Sequence, residues 1–521
     1  MKFCSFYLCI LLAGFAYSQE LPPIKSFKTE QYNAERQNWA ITQTKDKNIY
    51  IANNQGLLEF NGSNWKVYNS PNESIMRSVK AVENRIYSGC YMEFGYWIKN
   101  EFGLLVYKSL SSLLTDPIYE GEEFWNIVKL ENWILFQSLD RIYIYDAIKE
   151  SFKIIYSESR ITKMFKVEND IYFQRFNEGI FKIDKGKEHL ILNHPEIIDK
   201  VIINMFSIEG DLLVQTENDG IYIHKNGEIY EWDVSIKNNI SDYSVYSSLM
   251  LNNDIIIGTI SNGVIYIKDG ELNYNLNRKN GLINNTVLSL FKDIDNNLWL
   301  GLDNGINCVN IDSPFKVYND GVLGAVYCSV IFDEKIYLGT NQGLFYKNIN
   351  GNNKFSFIEG TEGQVWCLVK IDGELFCGHN SGTFIVNNDA VVKISNIQGI
   401  WDIKQVPAYP NYLLQGDYNG LNVLEKKNNK WQFRNRIKGF DLSSRFIEFV
   451  ESNHILINHE HKGVFDIKVN NSFEEVEEFE KIDIGIGLNS SLEKFNEEIY
   501  YAYKEGVFKY SKSDKKFLKE E

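Results

Sequence analysis

Residues 288–311 read LSLFKDIDNNLWLGLDNGINCVNI: three short apolar runs parted by two polar clusters, Asp295-Asn296-Asn297 and Asp303-Asn304-Gly305. The apolar runs alternate as half-buried strands do, and the polar clusters between them read as hairpin turns. Gly305 falls where a tight hairpin needs positive φ, which glycine adopts without a Cβ clash.

The middle of this stretch, NLWLGLDNGINCV, recurs as NIYIANNQGLLEF (48–60), DIYFQRFNEGIFK (170–182), KIYLGTNQGLFY (335–346), ELFCGHNSGTFIV (374–386) and in seven further copies. Among those seven are the weaker RIYSGCYMEFGYW (85–97) and WILFQSLDRIYIY (133–145). The twelve copies start between residues 48 and 498, eleven intervals with a mean near 41 residues. A period of that length, built of short strands with no helical signal, marks a β-propeller. Each unit supplies an inner strand such as TVLSLFKD (286–293), two strands flanking the glycine turn, and an outer strand such as NWKVY (64–68). A lone sheet with two apolar faces cannot bury them, so the units must stack as blades.

The fold class expected is therefore all-β, tandem propellers of four-stranded blades, and twelve blades are too many for one ring. The segment 309–330 parallels 22–42, each with a proline, a short aromatic strand, a polar gap and an innermost strand. Each short strand is read as opening a ring and supplying the outer strand of that ring's last blade. The boundaries that follow are 19–313 for a first propeller of seven blades, closed by Ile24 to Phe27 on the blade at 288–311, and 314–521 for five further blades. Those five either close as a ring or form an incomplete one.

The first residues, MKFCSFYLCILLAGFAYS, carry one lysine, an apolar run and a small-residue close, which is a secretory signal over 1–18 and too short to span a bilayer. The mature chain is expected in the periplasm or secreted, with no membrane span. The formal charge of -15 over the full sequence repels phosphate backbones and excludes nucleic acid as a direct partner. Five cysteines remain after the signal, all in apolar strand-like runs without regular spacing, so they are read as buried free thiols, Cys367 and Cys377 being the only candidate pair.

The unit GLINNTVLSLFKDIDNNLWLGLDNGI (281–306), with GLLEFNGSNWKVY, RIYSGCYMEFGYW and KIYLGTNQGLFY, resembles the two-component regulator propeller repeat of Bacteroidetes sensor-regulators. In that family two seven-bladed propellers precede a three-tyrosine β-sandwich, a membrane helix, a coiled coil and an output module of LuxR helix-turn-helix type. The resemblance implies an exported sensor or ligand-binding domain of a signal-transduction system for transcription regulation. Two blades and the membrane and output parts are not found in this sequence, which is read as a truncated product or a receptor acting through an envelope signalling partner.

No catalytic motif, metal-ligand set or cofactor loop stands out. The turn DIDNN (293–297) resembles the Asp-box of sialidases, a folding device. The pairs Glu122-Glu123, Glu474-Glu475 and Glu477-Glu478 read as solvated surface, and His459 with His461, two apart on a strand, could share a metal only with a third ligand that spacing does not place. No catalytic, cofactor or metal residue is assigned, and a secreted polysaccharide hydrolase or lyase and a protein-interaction scaffold are the alternatives to a sensor. Innermost strands begin with Trp39, Met76, Trp125, Met205, Tyr327, Trp366, Trp401 and Phe446. Packing between blades is the simpler reading of these, which turns Arg77, Asn126 and Asp402 toward the axial channel. The candidate contacts for a small-molecule, oligosaccharide or peptide ligand are Trp39, Arg77, Trp125, Asn126, Trp366, Trp401 and Asp402, with the long connection 100–123 as a second candidate surface.

Overall fold

The computed structural model describes residues 21–232, 243–251, 254–318, 323–349 and 354–520. The export signal read at 1–18 lies outside them. The described residues form twelve four-stranded antiparallel sheets, one for each copy of the repeat. In eleven of them four consecutive strands pair in chain order; the exception is the sheet containing the stretch at 288–311. Among the described residues helix is confined to the single turns Thr29–Tyr32 and Ser111–Leu113.

That exceptional sheet is blade 7, made of Val287–Lys292, Asn297–Leu302, Ile306–Asn310 and, as outer strand, Ile24–Phe27. Ile24 pairs with Val309 and Phe27 with Ile306, so the strand expected to close the first ring is found doing so. The Phe27 ring stacks on Trp299 of the same blade at 5.8 Å and meets Phe60 of blade 1 edge-on at 5.3 Å. The DIDNN turn is architectural: buried Asp293 accepts hydrogen bonds from the Asn297 backbone N–H (2.7 Å) and the Trp299 indole N–H (2.9 Å).

A second glycine of the repeat, on the middle strand, explains how blades approach. A methyl group at Gly301 would meet Ser289 Oγ and the Asn38 carbonyl of the next blade, and Gly258 and Gly89 stand in the same relation to Ser247 and Ser78. Those serines reach across to the neighbouring blade's backbone: Ser78 to the Phe124 carbonyl (2.8 Å), Ser247 to Val287 (3.0 Å) and Ser289 to Asn38 (3.1 Å). In blades 8 and 9 Cys328 and Cys367 take the serine's place against Gly339 and Gly378. All five described cysteines are free, Cys367 and Cys377 included.

The chain divides into compact units over Glu20–Asn319 and Asp320–Glu521. In the first, an apolar cluster lies between each pair of adjacent blades all the way round, and Ile41, Ile51, Leu58, Trp299 and Ile306 join blade 7 to blade 1. The second has clusters between blades 8 and 9, 9 and 10, 10 and 11, and 11 and 12. Among the described residues none joins blade 12 to blade 8. Ile331 on blade 8 and Phe495 on blade 12 are each 64% exposed. Phe315 to Tyr318, expected as an outer strand of that second set, instead make a single bridge in which the Val317 N–H donates to the Leu21 carbonyl at 2.9 Å. The physical reason is that blade 12 already has its own outer strand, Lys516–Lys519, hydrogen-bonded to Gly506–Ser511.

Candidate ligand-binding site

In the C-terminal unit the innermost strands Val326–Phe332, Val365–Ile371, Asp402–Val406, Phe446–Glu451 and Ser491–Phe495 converge on a cavity of about 930 Å3. Its upper wall is an aromatic row. Tyr327 stacks on Trp366 with centroids 4.9 Å apart and planes at 24°, and Trp366 lies 4.5 Å from Trp401 at 40°. The row is held in place from behind: the Trp366 indole N–H donates to Tyr418 Oη (3.0 Å), and that of Trp401 donates to Ser443 Oγ (3.1 Å). The Arg445 guanidinium lies 5.2 Å from the Trp401 ring centre. Rings fixed in this way, with Tyr327 exposed, offer an aromatic edge to a flat apolar surface of a ligand.

Beside the row stands a charged group. Lys404 Nζ donates to Glu448 Oε1 at 2.5 Å and sits 4.0 Å from Asp402 Oδ2. Asp402 also accepts the backbone N–H groups of Ile403 (2.8 Å) and Ile447 (3.4 Å). Burial pushes the Asp402 carboxyl above the usual carboxylate range, and burial does the same to Glu448 against the opposing pull of Lys404. Burial also works against the Lys404 charge, but Asp402 and Glu448 more than offset it, and the contact is best described as an ion pair with the lysine protonated. The cavity thus offers a polar, hydrogen-bonding floor under an aromatic wall.

The other four sequence candidates meet in the N-terminal unit, where Trp39, Arg77, Trp125 and Asn126 line a cavity of about 620 Å3. The Arg77 guanidinium lies between two indoles, 4.2 Å from Trp39 and 4.5 Å from Trp125, and pairs with Glu123 at 3.3 Å. Asn126 donates across the blade boundary to the Met164 carbonyl at 2.6 Å. The seven candidates therefore fall into two groups, one in each unit. The bulky residues at strand starts divide as well: Met76 and Met205 are buried between blades, whereas Trp39, Trp125, Trp366 and Trp401 are half-buried and Tyr327 is exposed.

Lys404, Glu448, Arg445 and Tyr418 escaped the sequence reading. Strand alternation carries a signal for one of them, since Asp402 and Lys404 are two apart and face the same side; Glu448 is brought in from the next blade by tertiary structure alone. Glu122 corrects the reading of Glu122-Glu123 as solvated surface. It is 3% exposed and accepts hydrogen bonds from Ser138 Oγ (2.5 Å) and Tyr143 Oη (2.8 Å), with Arg141 Nε at 3.9 Å. The connection 100–123 supplies the outer strand Leu105–Ser109 and is then strapped to blade 3 by the Arg141 bond to the Pro117 carbonyl (3.1 Å) and the Tyr156 bond to Asp116 (2.6 Å). His459 and His461 lie with ring centres 6.1 Å apart, Glu460 pairs with Arg445 at 2.7 Å, and His454 is bonded to Asp466 at 2.5 Å. Among the described residues no group of three metal-ligating side chains is assembled.

The family model for the two component regulator propeller matches residues 281–304. No curated protein sequence matches the chain. Among solved structures, the chain is similar to the extracellular domain of the hybrid two component system BT3049 from B. thetaiotaomicron, at 15% identity and a TM-score of 0.70 over 96% of this chain and 73% of that one. The extracellular domain of the one component system BT4673 from the same organism is similar at 14% identity and a TM-score of 0.46 over 96% and 73%. Among the described residues no helix is long and apolar enough to cross a membrane. Residues 281–304 are a two component regulator propeller repeat, carried in a β-propeller fold of the kind seen in the extracellular domain of that hybrid two component system.

Proposed function

We propose that this chain is the exported, ligand-binding propeller part of a signal-transduction system that regulates transcription, acting in the periplasm or outside the cell, and that its C-terminal cavity binds an oligosaccharide. The observation that carries this is the row Tyr327, Trp366 and Trp401 beside Asp402, Lys404 and Glu448. A sugar ring presents an apolar face that stacks on an indole and a rim of hydroxyls that need fixed donors and acceptors. The cavity supplies both, and its volume of about 930 Å3 accommodates two or three sugar units. The family repeat and the likeness to a sensor's extracellular domain support the signalling part of the reading.

A second reading, a polysaccharide hydrolase or lyase, draws on the same carboxyls, because burial raises both Asp402 and Glu448 as a general acid requires. Their bonds favour binding over chemistry: Glu448 is paired with Lys404 and Asp402 is occupied by two backbone N–H groups. Titrating neutral and acidic oligosaccharides while following tryptophan fluorescence, with a parallel assay for new reducing ends, tests the proposal. Saturable quenching without new reducing ends is expected. Release of reducing ends that Glu448→Gln abolishes would replace binding with catalysis.

A further inference from the structure

The axial cavity of the N-terminal ring has a charge that the chain as a whole does not. The protein carries 69 Asp and Glu against 54 Lys and Arg, yet the residues lining this cavity include Arg77, Lys80, Arg160, Lys163 and Lys166 and not one carboxylate. Two blades supply them: Arg77 and Lys80 come from the innermost strand Met76–Val82, and Lys163 and Lys166 from Ile161–Val167, which Arg160 immediately precedes. Of the five, Arg77 alone has an ion pair among the described residues, to Glu123, and its buried Nε is left without a partner.

Such an arrangement is unfavourable when empty. Lys80 and Lys163 are half-buried without an ion pair among the described residues, in a space walled by protein where Coulomb terms are stronger than in water, while Arg160 and Lys166 are exposed. Burial lowers Lys80, and the Lys166 charge lowers it further. Lys163 is only half-buried because it faces the cavity, yet burial alone holds its pKa down to about 8. Neutral donors stand among the cations. The Ser248 hydroxyl is buried without a partner, and Tyr246 lines the same cavity. The Trp39 and Trp125 indoles fix Arg77 before any ligand arrives, as a preorganised anion site requires.

We propose that this cavity is a second ligand site, distinct from the aromatic cavity of the C-terminal unit, and that it takes a compact multivalent anion. A volume of about 620 Å3 suits a small molecule carrying two or more phosphoryl or carboxylate groups. Phosphate esters and polycarboxylates share the chemistry that recognises them here, oxygen anions set between opposed lysines with an arginine at one end.

Calorimetric titration of the full mature chain at low ionic strength and pH 7 with sodium pyrophosphate and, separately, with citrate tests this. One-to-one binding of at least one probe is expected, weakening as salt is raised; the tighter probe assigns the ligand to the phosphoryl or the polycarboxylate class. Lys80→Met and Lys163→Met should each weaken it at least tenfold without lowering the melting temperature, since each removes an uncompensated charge, while the exposed Lys187→Met should not change it. As an independent readout, the bound probe should protect Lys163 from acetylation. Failure of both probes to bind at millimolar concentration, or binding unchanged in Lys80→Met and Lys163→Met, would overturn the proposal.

Discussion

Ser289 Oγ donates to the carbonyl of Asn38 at 3.1 Å, a hydrogen bond between residues 251 apart in sequence that latches blade 7 to blade 1. Gly301 lies opposite, and any side chain there would collide with both partners. Gly301→Val should therefore cost about 1–3 kcal/mol through overpacking. Ser289→Ala should cost about 1 kcal/mol by leaving the Asn38 carbonyl unpaired. Urea unfolding followed by fluorescence checks both, and equal midpoints for the glycine variant and wild type would contradict the latch.

The repeat was legible because each copy states its own hairpin, and the blades of the N-terminal ring need only stack in order. The closing strand was legible because Ile24 to Phe27 repeats an aromatic pattern that has no blade of its own near it. The fate of Phe315 to Tyr318 was not, since the same pattern meets a different situation when blade 12 brings its own outer strand from Lys516–Lys519. In the cavities, alternation pointed to Trp401 and Asp402. Glu448 reaches Lys404 from another blade, and sequence spacing holds no trace of a pairing 44 residues apart. Glu122 was misread for a related reason: a Glu-Glu pair looks solvated until Ser138, Tyr143 and Arg141 fold around its first member.

Glu122 is thus a structural carboxylate. Glu122→Leu removes the one acid beside the buried Arg141 and the acceptor for Ser138 and Tyr143, and should cost about 3–5 kcal/mol, the usual penalty for leaving a buried charge without its partner. Thermal unfolding by calorimetry would show it as a large fall in melting temperature.

The thiols should be inert in the folded chain. Burial pushes Cys90, Cys308 and Cys328 up to about 12, and Cys367 and Cys377 are raised further by the same cause. Thiolate, the reactive form, is then scarce at pH 8. Alkylation at pH 8 should label none of these five within an hour in buffer and all five after denaturation, as read by mass spectrometry.

Anion binding to the N-terminal cavity should depend on pH through Lys163. Its folded pKa of about 8 lies below the ordinary lysine value, so it is protonated at pH 7 and largely neutral at pH 9. The titratable and charged groups that line the cavity with it are Lys166 and Arg160 from its own blade and Arg77, Lys80 and Tyr246 from others, and the cause of its lowered value is burial. Affinity for pyrophosphate should fall between pH 7 and 9 in wild type, and Lys163→Met should flatten that fall. In stability the sign is opposite: the unfolded lysine binds the proton that the folded one has released, so this group's contribution rises with pH from about 8 toward its unfolded value.

The C-terminal aromatic row is the proposed oligosaccharide site. Its most direct test is isothermal titration of an oligosaccharide that quenches tryptophan fluorescence into wild type, Trp401→Ala and Trp125→Ala. Trp401→Ala should lose at least tenfold in affinity, as loss of a stacked ring entails. Trp125→Ala, in the other unit, should match wild type. Equal affinity of Trp401→Ala and wild type would contradict it.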